Sequence, residues 1–109
     1  MAVFIHNTNI ISPLGFSTED NFQKILSGKS AIEKVFIDDK IGSVYAGKIN
    51  DELFNHHFQS INTDFQGSRI EKLLLAALSP IVEKNPIKAD SVLILSTTKG
   101  NISALAKND

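Results

Sequence analysis

The chain has 109 residues, the length of about one domain, which would bury roughly two thirds of the surface exposed by its unfolded form and leaves no room for two independent cores. Its 14 Ile, 10 Leu, 5 Val and 7 Phe make it far more apolar than disordered sequences, so it should fold. The 11 basic and 12 acidic residues are scattered and give a net charge of -1, so there is no electrostatic footprint for nucleic acid or anionic lipid.

Cysteine is absent, which excludes disulfides, thiolate metal sites and a Cys nucleophile within these residues. The first residues carry neither the basic region nor the apolar run of a secretory signal, and no apolar stretch approaches the ~20 residues that span a bilayer. A cytoplasmic protein without a membrane span is the expectation.

Residues 3–11 (Val3, Phe4, Ile5, then Ile10 and Ile11) are apolar and β-branched with little alternation, which predicts a strand covered on both faces, as in a parallel sheet. A turn cluster follows at Ser12, Pro13, Leu14 and Gly15. Ser17 or Thr18 can cap a helix over residues 18–27, with Glu19 and Asp20 at its positive end, a stripe of Phe22, Ile25 and Leu26, and Gly28 as its stop.

Residues 32–37 and 41–49, separated by Asp38, Asp39 and Lys40, read as a hairpin or two short antiparallel strands. Residues 51–58, capped by Asn50 or Asp51, read as one or two helical turns. A longer helix begins near Ser68, where Ser68 and Glu71 have capping-box spacing. Its stripe of Ile70, Leu73, Leu74, Ala77, Leu78, Ile81 and Val82, widened by Leu75 and Ala76, predicts burial on more than one side. Pro80 should kink or divide this helix, and Asn85 with Pro86 should end it.

Residues 92–95, Val-Leu-Ile-Leu between polar flanks, read as a second buried parallel strand. The order is that of an α/β layered parallel-sheet unit with a small β-hairpin insertion. Ile102 and Leu105 begin the pattern of a third helix that would continue beyond Asp109. Two central strands make a poor sheet alone, so residues 1–109 read as a single partial domain of a larger fold.

Residues 42–48 match the GxxxxGK spacing of a phosphate loop, but Ile49 stands where a Ser or Thr would bind magnesium, and the intervening residues read as strand. His56 and His57 are adjacent and project in different directions, which argues against a shared metal. His6 reads as a hydrogen-bonded structural histidine within a buried strand. Asp38 and Asp39 form a charged turn tip, and no GxSxG nucleophile turn occurs. Asn101, Ile102 and Ser103 match a glycosylation sequon, which has no meaning without secretion. No catalytic, cofactor-binding or metal-ligating residue is assigned, and no cofactor is expected.

Several segments resemble, in order, the N-terminal region of β-ketoacyl synthases, the 3-oxoacyl-acyl-carrier-protein synthases of the thiolase-like fold. An apolar strand leads into Ser12, Pro13, Leu14 and Gly15, similar to the family's S-P-x-G turn. Leu26, Ser27, Gly28, Lys29, Ser30, Ala31 and Ile32 resemble its L-x-G-x-S-x-I stretch, and Ala46, Gly47, Lys48 and Ile49 its A-G-x-apolar strand. The long helix at residues 70–82 and the strand and turn at 91–100 complete the match over nearly the whole chain. The sequence departs from the family at His6, Asn7 and Asn9, which replace a Thr and two glycines, and at Lys99, which replaces a small or apolar residue.

The resemblance implies a thiolase-like fold and an acyltransferase that elongates an acyl chain by decarboxylative condensation with malonyl-acyl-carrier protein, in fatty-acid or polyketide biosynthesis. It implies acyl carrier protein and acyl or malonyl thioesters as partners, and a homodimer or heterodimer. The family's Cys nucleophile and two His lie C-terminal to the matched segment, and His6, His56 and His57 match neither His, so this chain alone is expected to be inactive. The alternatives are a noncatalytic partner similar to a chain-length factor, and a stand-alone α/β binding domain.

Overall fold

The computed structural model describes residues 1–102 and 105. Three helices and one antiparallel hairpin make a mixed α/β structure: α1 (Thr18–Leu26), β1 (Ile32–Asp38), β2 (Gly42–Gly47), α2 (Asp51–Ile61) and α3 (Arg69–Lys84).

Local chemistry sets the element ends. Ser17 caps α1 by accepting from the Asp20 N–H at 3.0 Å, and Asn50 caps α2 by accepting from Leu53 N–H at 2.9 Å. At the end of α1 the Gly28 N–H reaches the Ile25 carbonyl and the Lys29 N–H the Lys24 carbonyl, both at 3.0 Å. This is a Schellman closure, and it needs the left-handed φ of +76° at Gly28. In the hairpin, Asp38 Oδ1 accepts from the N–H groups of Lys40 and Ile41, and Gly42 supplies a φ of +78°. Val35 pairs with Val44 and Phe36 with Ser43, and the register shifts between Phe36 and Asp38.

Half of the expected capping box forms at α3. Ser68 Oγ accepts from the Glu71 N–H at 3.4 Å, while the Glu71 carboxylate instead accepts from Asn101 Nδ2 at 3.4 Å. Pro80 does not divide α3, which runs unbroken from Arg69 to Lys84. Proline lacks the N–H that would reach the Ala76 carbonyl; the adjacent Ala77 carbonyl accepts from Asn9 Nδ2 at 3.1 Å. That bond pins the N-terminal segment to α3.

The core lies between α2 and α3. Phe54 and Phe58, one turn apart on α2, are buried with Ala76 of α3, and Ile11, Phe16, Ile49, Ile61, Phe65 and Leu73 pack around them. Phe16 meets Phe54 edge to face at 5.9 Å between centroids, a geometry favoured by the ring quadrupoles.

Three expectations are corrected. Residues 3–11 and 92–95 join no ladder among the described residues, where the only sheet is the β1–β2 hairpin, and Val3 and Ile94 are 89% and 87% exposed. An apolar run becomes a buried strand only where neighbouring strands accept from its N–H groups and donate to its C=O groups, and the described residues supply none. The Phe22, Ile25 and Leu26 stripe of α1 faces outward and stays exposed, and among the described residues no helix or strand packs extensively against α1. On α3 only Ala76 is fully buried, while Leu75 and Leu78 remain exposed. The chain accordingly has an accessible surface of 9186 Å², against about 6,000 Å² for a compact monomer of its mass.

Candidate functional site

The turn after the N-terminal segment is organised by one side chain. Ser12 and Gly15 exchange backbone hydrogen bonds at 2.9 and 3.1 Å, and the Ser12 hydroxyl accepts from the Leu14 N–H at 3.0 Å. Ser12 Oγ also donates to Oδ1 of Asn21, which is 4% exposed. The Asn21 amide donates to the carbonyls of Ile10, Gly15 and Ser17 at 3.1, 3.2 and 2.7 Å. A buried amide with both ends satisfied fixes its neighbours' orientation, so Asn21 clamps α1 to the turn.

Beside this turn lies a cleft of about 440 Å³, formed by Pro13 and Leu14, the end of α1, the residues before β1 and those after β2. Lys24, Lys29 and Lys48 line it with Ser30, Asn50 and Glu33. Lys24 Nζ donates to the Leu14 carbonyl, and Ser30 Oγ accepts from the Ile32 N–H at 3.2 Å. Gly47 stands beside one wall, where a Cβ would be in ordinary van der Waals contact with Pro13 Cγ at 3.5 Å and the Ala31 carbonyl oxygen at 3.9 Å. Segments around residues 13, 30 and 48 are therefore brought into one place. The convergence of the three lysines was missed in the sequence; they are separated by 5 and 19 positions and share no helical or strand period, so no sequence signal marks it.

The individually weighed residues sit apart from one another. Residues 42–47 are strand β2, so the GxxxxGK match lacks the strand–loop–helix setting of a phosphate loop. His56 is exposed on α2; His57 stacks on Phe16 at 4.9 Å between centroids, with a ring angle of 34°. His6 is exposed rather than buried, because its segment is not enclosed in a sheet. Asp38 serves the hairpin turn. Asn101 is half-buried, while Ser103 of the sequon and the continuation of the helix predicted from Ile102 and Leu105 lie outside the described residues. Among the described residues no three His, Asp or Glu side chains are grouped to hold a metal, and no helix is long and apolar enough to cross a membrane.

Comparison with protein-family models, curated proteins and solved structures gives no match.

Proposed function

We propose that this chain is the N-terminal part of a condensing enzyme of the β-ketoacyl synthase type, acting on acyl and malonyl thioesters of an acyl carrier protein. The observation that carries the reading is the meeting of three segments on which the resemblance rests. Pro13 and Leu14 of the S-P-x-G turn, Lys29, Ser30 and Ala31 of the L-x-G-x-S-x-I stretch, and Lys48 of the A-G-x-apolar strand line one cleft. Motifs that recur in order and also touch behave as one structural unit rather than as unrelated matches. The exposed apolar runs at residues 3–5 and 92–95 further support it: they have the composition of strands that join a layered parallel sheet once neighbours are present.

On this reading the nucleophile is a Cys at the N-terminus of a buried helix, where its thiol favours the thiolate, assisted by two His. None of these is a residue of this chain. The experiment is to read the coding frame past codon 109, express the extended chain, and incubate it and the 109-residue chain with a radiolabelled acyl thioester. Label on the extended chain alone, at a Cys followed by two later His, is the expected result. A condensing-type sequence without the Cys would make the protein a noncatalytic partner. Covalent label on the 109-residue chain, or a frame that encodes no such sequence, would overturn the proposal.

A further inference from the structure

We infer that the lysine-lined cleft binds the phosphate end of a small phosphorylated molecule. The inference is independent of the condensing-enzyme reading. Lys24, Lys29 and Lys48 come from three separate segments and converge on one concave surface of about 440 Å³, a volume within the roughly 300–1,000 Å³ of small-molecule sites. Glu33 is the single carboxylate in the lining. Asp51 adjoins the cleft, for it lines a neighbouring pocket with Lys48, Glu33 and Asn50, but its carboxylate is engaged by Arg69 in the only ion pair among the described residues. The lining thus carries three ammonium groups against one carboxylate on a chain whose net charge is -1, and a phosphate dianion matches that surplus.

The neutral groups add donors. Ser30 Oγ already accepts from Ile32 N–H, which leaves its hydroxyl proton to donate. Asn50 Oδ1 is occupied by the cap of α2, which leaves its NH2 group. Lys24 gives one proton to the Leu14 carbonyl and holds its ammonium at the cleft wall. Phosphate oxygens accept from several such donors at once, whereas chloride offers one centre. A Cβ at Gly47 would meet Pro13 and the Ala31 carbonyl at ordinary van der Waals distance, so the turn at Pro13, the residue before β1 and the end of β2 lie side by side at this wall.

The test is an NMR titration of the ¹⁵N-labelled chain with inorganic phosphate and with pyrophosphate, against sodium chloride at matched ionic strength. Saturable shifts in the amides of residues 29–31 and 48–50, stronger for pyrophosphate and absent with chloride, are expected. The double variant Lys29→Gln/Lys48→Gln should bind on the order of tenfold more weakly, the loss of two charge-assisted contacts. Lys84→Gln/Lys88→Gln, which removes the same charge outside the cleft, should bind as the parent does. All four lysines are exposed, and unchanged amide spectra elsewhere establish that the variants fold. Shifts that fail to saturate, that chloride reproduces, or that both double variants weaken equally would overturn the inference.

Discussion

Replacing Asn21 tests the claim that one buried amide joins α1 to the preceding turn. In Asn21→Ala the Ser12 hydroxyl loses its acceptor and three carbonyls lose a donor. The amide has two protons, so its contribution is two donated bonds and one accepted bond, each worth about 1 kcal/mol net. The Gly15 carbonyl keeps the Ser12 N–H and the Ser17 carbonyl keeps the N–H of residue 21; only the Ile10 carbonyl is left bare. The expected loss is therefore about 2–3 kcal/mol, which would speed exchange of the Gly15 and α1 amides roughly 30- to 140-fold. Asn21→Asp is expected to be worse at pH 7, because a carboxylate donates nothing and faces three carbonyl oxygens. Burial raises the folded-state pKa of such an Asp above its unfolded value of about 3.9, so the penalty grows as pH rises past that value and disappears below it. Hydrogen exchange by NMR between pH 4 and 7 reads both effects. Exchange accelerated less than about fivefold in Asn21→Ala, equivalent to about 1 kcal/mol, or Asn21→Asp as protected at pH 7 as Asn21→Ala, would refute the assignment.

Phe54 is 2% exposed at the centre of the aromatic cluster, and Phe54→Ala should cost about 3–5 kcal/mol in urea denaturation. Pro80→Ala restores the donor for the Ala76 carbonyl inside α3 and should stabilise the chain by about 1–3 kcal/mol, read as a higher thermal midpoint; a lower midpoint would show that Pro80 serves the packing of α3. Arg69→Ala removes an ion pair whose two side chains are about half exposed, and should shift stability by less than about 1 kcal/mol, less still in high salt.

What the sequence shows depends on how far each signal reaches. The caps at Ser17, Asn50 and Ser68, the stop at Gly28 and the break at Asp38 were legible because each bonds only to backbone within a few residues. The unpaired state of residues 3–11 and 92–95, which read as strands, was not, since an apolar run states that a segment wants covering but not what covers it, and the described residues place no neighbour there. The α1 stripe shows the same limit from the other side: its spacing is helical and the helix forms, yet it is the polar Asn21 that is buried and the stripe that faces out. Periodicity specifies a helix and its faces, while the choice of which face turns inward belongs to contacts such as those from Asn21 to Ile10 and Ser12, set by chain direction at the turn. The cleft follows that logic. Lys24, Lys29 and Lys48 are unremarkable in order along the chain, and they converge because the Schellman closure at Gly28 and the hairpin return at Gly42 fold the chain back twice within 25 positions. Changing either glycine to Ala should therefore loosen the cleft as well as strain the local backbone by about 1–2 kcal/mol, linking two turns to a site that neither contains.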